Sequence, residues 1–131
     1  MLRIPLVIND AIITHAREGF PLEVCGILGG IDGKVSINFP MTNTDASNEH
    51  FMMDPREQFA VVKELRSKGL AMVGIYHSHP ESPARPSAED IRLALTPDVS
   101  YVIVSLAGPE PDLKSFRIID GVVEPEEISL I

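Results

Sequence analysis

No stretch constrains this chain more than Val73-Gly74-Ile75-Tyr76-His77-Ser78-His79-Pro80. An apolar run rich in β-branched and aromatic residues predicts a strand, and the two-residue period of a strand puts His77 and His79 on one face. Two imidazoles on one face at a strand end can grip one ion. The chain then crosses a loop held by Pro80, Pro83 and Pro86 and enters a helix that starts at Pro86-Ser87 and runs to about Leu95. Asp90 falls one turn into that helix, within reach of both histidines.

These residue types point to a particular chemistry. Zinc in a hydrolytic site takes three protein ligands from His and carboxylate and keeps a fourth position for water. His77, His79 and Asp90 are such a set, so we expect one zinc per chain, able to lower the pKa of water to roughly 7 and to polarise a carbonyl. Amide hydrolysis also needs a base and a donor for the developing oxyanion. Glu23 is the candidate base, because it is a charged residue at the mouth of an otherwise apolar strand. Ser87 is the candidate oxyanion donor. Ser87-x-x-Asp90 is equally a capping-box variant, in which Asp90 reaches back to the Ser87 amide; the two roles are compatible at a helix mouth. Cys25 shares the parity of Glu23 and reads either as a small buried hydrophobe or as a residue lining the site. His15 on a helix and His50 in a polar loop read as ordinary surface residues. Met52, Met53 and Met72 suit core or groove filling.

Around this centre the chain alternates helices and strands. Asn9 to Gly19 predicts a short amphipathic helix with Ala11, Ile12 and Ala16 inward and Asn9 or Asp10 as cap. Glu23 to Gly30 predicts a buried strand, and Asp32-Gly33 a hairpin turn into Val35–Pro40. Thr42 to His50 is a loop by composition. Asp54-Pro55 starts a helix carrying Phe59, Val62 and Leu65 at helical period to Lys68-Gly69. Ser100–Leu106, Leu113–Ile119 and Val122 to the C-terminus predict further strands, the last two joined by Asp120-Gly121. Interleaving of this kind predicts an α/β fold, a mixed sheet between helices in three layers.

The 131 residues, 44% hydrophobic, suit a single globular domain over 1–131. With 11 Lys+Arg against 19 Asp+Glu the net charge is −8, and the basic residues form no run, which argues against nucleic-acid binding. One cysteine excludes an internal disulfide and a Cys-rich zinc finger, and predicts a reducing cytoplasm. No apolar run approaches the ~20 residues of a membrane span, and Met1-Leu2-Arg3-Ile4-Pro5 does not read as a leader.

Taken together, Glu23, His77-x-His79-Pro80 and, after seven intervening residues, Ser87-x-x-Asp90 resemble the JAMM (MPN+) motif of zinc metallopeptidases. Pro21-x-Glu23-x-Cys25-Gly26, the Asn43 loop and Phe51-x-Met53-Asp54-Pro55 are similar to short prokaryotic members, so the resemblance spans nearly the whole chain. It implies a cytidine-deaminase-like α/β/α sandwich and cleavage of peptide or isopeptide bonds, often after the C-terminal Gly-Gly of a ubiquitin-like or sulfur-carrier protein. Carried over by residue, His77, His79 and Asp90 bind zinc, Glu23 is the general acid/base and Ser87 stabilises the oxyanion. The long insertions that help eukaryotic members hold ubiquitin are missing, which implies a compact or loosely selected substrate. Two other classes compete. A non-catalytic scaffold is what family members without the motif become. A nucleobase deaminase needs Pro-Cys-x-x-Cys and His-x-Glu, for which the lone Cys25 is insufficient.

Overall fold

The computed structural model describes all residues, 1–131. Eight strands and three helices follow one another as β1 (Leu2–Ile4), α1 (Leu6–Gly19), β2 (Cys25–Ile31), β3 (Lys34–Met41), α2 (Pro55–Ser67), β4 (Ala71–His79), α3 (Ala88–Arg92), β5 (Ser100–Ser105), β6 (Asp112–Ile119), β7 (Val122–Glu126) and β8 (Ile128–Leu130). The strands form one mixed sheet in the order β7-β6-β5-β4-β2-β3-β1-β8. Strand β4 is parallel to β5, and β1 is parallel to both β3 and β8, while the other pairs are antiparallel.

Strand periodicity decides which helix covers which face. Leu28, Tyr76, Val102 and Val104 turn toward α1 and pack with its Ile8, Ile12 and Ala16. The alternating residues turn the other way: Cys25 and Ile27 pack against Val61 and Leu65 of α2, and Ile103 packs beside Ile91 of α3. Helices therefore lie on both faces, which is the expected three-layer α/β/α arrangement. The sheet is not open, however. Strands β7 and β8 stand at opposite ends of the strand order yet are separated in sequence by Glu127 alone. The sheet must curl until one continuous segment borders β6 with its first half and β1 with its second. Glu126, at this seam, accepts hydrogen bonds from Ser100 Oγ at 2.5 Å, Ser115 Oγ at 2.7 Å and Arg117 Nε at 3.1 Å.

Several sequence expectations shift. Helix α1 starts at Leu6, three residues before Asn9, because Pro5 stands at its N-cap with φ −57° and ψ 139°; no side chain caps it. Ile8 turns inward while Ala11 is exposed. In α2 the Asp54 cap is as expected, its side chain accepting from the Arg56 amide at 2.8 Å, but the inward residues are Val61 and Leu65; Phe59 is 71% exposed. Helix α3 stops at Arg92 rather than near Leu95. Pro97 disfavours helical backbone at Thr96, and the Tyr101 hydroxyl holds Thr96 by accepting from its amide at 3.1 Å and donating to its carbonyl at 3.3 Å. The Asp32-Gly33 and Asp120-Gly121 turns both have positive φ at both residues, as a tight hairpin demands. No helix is long and apolar enough to cross a membrane.

Candidate metal centre and its surroundings

Strand β4 ends in three buried residues, His77, Ser78 and His79. The two histidines share a face as period two requires, and between them Ser78 points the other way into a clasp with β2. The Ser78 hydroxyl accepts from the Val24 amide at 2.8 Å, and the Ser78 amide donates to the Val24 carbonyl at 3.0 Å. Because Cys25 pairs with His77 across the antiparallel β2–β4 ladder, Glu23 arrives opposite His79. The loop after β4 is anchored by buried Ala84 and by Ser105 Oγ, which donates to the Ser82 carbonyl at 2.6 Å.

Helix α3 delivers Asp90. Ser87 and Asp90 form a full capping box: Ser87 Oγ accepts from the Asp90 amide at 3.0 Å and the Ser87 amide donates to Asp90 Oδ2 at 2.9 Å. The same Oδ2 lies 3.1 Å from His77 Nε2 and 3.0 Å from His79 Nε2, and those two nitrogens are 3.0 Å apart. Capping and convergence on the histidines are thus one arrangement rather than alternatives. The Ser87 hydroxyl donates no hydrogen bond within the protein, so its proton is free for a ligand.

This donor set fits a zinc ion. His79 Nδ1 is 2.8 Å from the Pro83 carbonyl, which can only accept, so the neutral ring carries its proton on Nδ1 and its lone pair on Nε2. The His79 lone pair therefore faces the point on which His77 Nε2 and a carboxylate oxygen of Asp90 also converge. Ligands at 2.0–2.1 Å on tetrahedral vertices stand roughly 3.3 Å apart, a few tenths of an ångström from the spacing observed here. The electrostatics agree with a cation-binding cluster. Burial pulls His77 below its ordinary pKa despite the Asp90 carboxylate. His79 is also buried, but Asp90 and the Pro83 carbonyl outweigh burial and leave it raised. Asp90, though partly desolvated, is held far below the usual carboxylate range by the two imidazoles beside it and by the hydrogen bond from the Ser87 amide.

Glu23 is 6% exposed, and its Oε1 has no hydrogen-bond partner. Desolvation pushes its pKa up from 4.5 to about 7, against the opposing charge of His79. A carboxylate poised there can take or give a proton at neutral pH. Cys25, wholly buried in the α2-side cluster with its pKa pushed up by burial to about 12, is a core residue and not a thiol of the site.

Several other residues hold the site, and the sequence reading gave them no structural role. Asn43 Nδ2 donates to the Glu23 carbonyl at 3.0 Å and to the His50 carbonyl at 2.9 Å, while its Oδ1 accepts from the Asp45 and Met52 amides at 3.1 Å each. Phe51 stacks on the His77 ring, with centroids 4.6 Å apart. His50 stays half exposed but binds Glu89 of α3 at 2.9 Å, tying the loop to the helix that carries Asp90. His15, expected at the surface, is half buried with Nδ1 2.6 Å from the Tyr76 hydroxyl. Of the methionines, Met53 is buried in the core and Met52 is exposed at a groove.

Two cavities meet at the cluster. On the side of His77 and Asp90 lies an apolar groove of about 260 Å³ walled by Phe51, Met52, Ile75, Pro86 and Leu93. On the side of His79 and Glu23 lies a cavity of about 290 Å³ with no apolar lining residue.

A family model described as prokaryotic homologs of the JAB domain matches residues 5–119. The chain is 38% identical over 125 residues to the CysO-cysteine peptidase of Mycobacterium tuberculosis, covering 93% of this chain and 86% of that protein. It is 41% identical over 107 residues to the desampylase of Haloferax volcanii, covering 76% and 77% of the two. The solution structure of a Desulfitobacterium hafniense protein, 48% identical, superposes with a TM-score of 0.91 over 100% of this chain and 93% of the other. With the motif assembled at one point of the fold and the likeness running nearly end to end, this chain belongs to the prokaryotic JAB-domain family.

Proposed function

We propose that this chain is a zinc-dependent peptidase cutting the peptide or isopeptide bond after the C-terminal Gly-Gly of a ubiquitin-like or sulfur-carrier protein. The observation that carries the reading is the pairing of a three-donor cluster, His77, His79 and Asp90, with the buried and unpartnered Glu23 carboxylate beside it. A purely structural cluster has no use for that carboxylate. The names of the relatives, CysO-cysteine peptidase and desampylase, support this substrate class.

In this reading His77, His79 and Asp90 hold one zinc, which when bound supplies Lewis acidity toward a water and a carbonyl. Glu23 takes a proton from the attacking water and passes it to the departing nitrogen; its raised pKa suits both halves of the transfer. The Ser87 hydroxyl donates to the oxygen that gains negative charge. Phe51 fixes the His77 ring, and the apolar groove beside it suits an extended tail ending in glycines. We further assign residues 1–131 to one catalytic unit. The net charge of −8 and the absence of a basic run favour a protein rather than a nucleic-acid partner, and the lone reduced cysteine favours the cytoplasm.

The test is to load the purified protein with zinc and offer ubiquitin-like sulfur carriers bearing C-terminal extensions, locating the cut by mass spectrometry. Cleavage after Gly-Gly is expected. His77→Ala and Asp90→Ala should lose the metal, whereas Glu23→Gln should retain one zinc per chain and lose cleavage. A Glu23→Gln protein cutting at the wild-type rate would overturn the base assignment.

A further inference from the structure

The two cavities at the cluster differ in chemistry, and the position of Glu23 decides which part of a substrate enters each. When an amide is hydrolysed, water adds to the carbonyl carbon, the C–N bond breaks, the bonding pair stays on nitrogen, and the proton removed from water is delivered to that nitrogen. The departing nitrogen must then lie within hydrogen-bond reach of the proton carrier. Glu23 lines the polar cavity and not the apolar groove. The leaving group therefore occupies the polar cavity, and the acyl tail occupies the groove beside His77.

That polar cavity is acidic. Besides Glu23 and His79 it is lined by Asn48, Glu49, Glu81 and Ser87. Neither Glu49 nor Glu81 forms an ion pair with any Lys, Arg or His of the chain, whereas Glu89 and Glu126 do. The Glu23 side chain, more than nine-tenths buried with Oε1 unpartnered, faces the same space. Glu49 and Glu81 thus stand unpaired at the rim of a cavity that no Lys or Arg lines, with the buried, unpartnered Glu23 carboxyl group at its inner end, and this arrangement favours a cationic occupant. We propose that this cavity is a leaving-group site selecting positively charged amine components, so that a lysine isopeptide flanked by basic residues is preferred over one in neutral or acidic surroundings. The inference rests on the peptidase reading for its orientation and adds the chemistry of the component released. Two exposed charge pairs set the expected preference at roughly five-fold.

The experiment uses the zinc-loaded chain and one sulfur carrier whose Gly-Gly carboxyl is joined to the lysine ε-amine of Arg-Lys-Arg-Ala, Ser-Lys-Ser-Ala or Glu-Lys-Glu-Ala. We expect kcat/KM to fall in that order, with the first-to-second ratio near five-fold, shrinking with added salt. That ratio should approach one in the Glu49→Gln/Glu81→Gln protein. The free Arg-Lys-Arg-Ala peptide should also shift the backbone amide resonances of Glu49 and Glu81, a readout independent of cleavage. Equal kcat/KM for all three substrates, or a ratio that survives the double substitution, would overturn the charged-site proposal while leaving the peptidase reading intact. If none of the three is cut, the peptidase reading fails, and the resonance shifts alone then decide the cavity: selective shifts with the basic peptide support a cation site, and their absence rejects it.

Discussion

Asn43 donates from Nδ2 to the carbonyl oxygen of Glu23 at 3.0 Å, so a loop residue fixes the backbone of the proposed base. Its other three hydrogen bonds go to the backbone of Asp45, His50 and Met52, and the last two flank Phe51, the ring stacked on His77. Asn43 touches no metal-ligating atom. Asn43→Ala should therefore retain zinc but let Glu23 wander, and a misplacement near 1 Å costs about a hundred-fold in rate. We expect kcat to drop about ten- to a hundred-fold, with stability reduced by about 1–3 kcal/mol for the partners left unpaired. Kinetics alongside zinc stoichiometry checks this. Unchanged kcat would remove Asn43 from the positioning role.

Ser87 has two separable duties. As N-cap it accepts from the Asp90 amide, and its own amide holds Asp90 Oδ2. Glycine keeps that amide and serves as an N-cap at a penalty of only a few tenths of a kcal/mol, but it has no hydroxyl. Ser87→Gly should thus keep fold and zinc while kcat falls about 10²–10³-fold through loss of an oxyanion donor. Ser87→Thr should restore much of the rate. A Ser87→Gly protein with wild-type kcat would show that capping is all Ser87 does.

Glu23 imposes a stability cost that depends on pH. Burial raises its pKa from 4.5 to about 7, so the folded chain binds that proton more tightly than the unfolded chain. Its contribution is most favourable below about pH 4.5, declines between 4.5 and 7, and is constant above. At 1.36 kcal/mol per unit the loss is at most about 3.5 kcal/mol. In zinc-free protein Glu23→Gln should therefore be more stable than wild type at pH 8, with the gain shrinking toward pH 4.5. Urea denaturation across that range measures it. A gain independent of pH would mean that the carboxylate's burial is not its cause.

The parts of the site that the sequence made legible are those governed by short periodicities. His77 and His79 follow from the period of a strand, and Asp90 from its place one turn into a capped helix. Glu23 stood out as a charge bordering an apolar run. Asn43, Ser78 and the Pro83 carbonyl were opaque as structural parts because each acts between a side chain and distant backbone, and such contacts leave no repeating pattern. In the fold, the hairpins at Asp32-Gly33 and Asp120-Gly121 were readable from turn chemistry. Strand β1, three residues long, was not, and neither was the change of partner at Glu127 that curls the sheet. Phe59 misled for a related reason: a helical period names a stripe but not which flank of it meets the sheet, and α2 buries Val61 instead.

Gly26 sits directly across the β2–β4 ladder from Tyr76, the strand neighbour of His77, and the Tyr76 ring lies over the space a Cβ would fill. The ring is wholly buried among the α1-side core, with its hydroxyl held by His15, so it has little room to retreat. Gly26→Ala must push the ring or prise β2 from β4. Overpacking of this kind costs about 1–3 kcal/mol. Any slip between the two strands also moves Glu23 relative to His77 and His79, so zinc-loaded activity should fall together with stability. A double-mutant cycle separates clash from other causes: in a Tyr76→Ala background the three atoms nearest the added methyl group are gone, and Gly26→Ala should there cost less than half of what it costs in the wild type. An equal cost in both backgrounds would show that the ring of Tyr76 is not what requires glycine at this position.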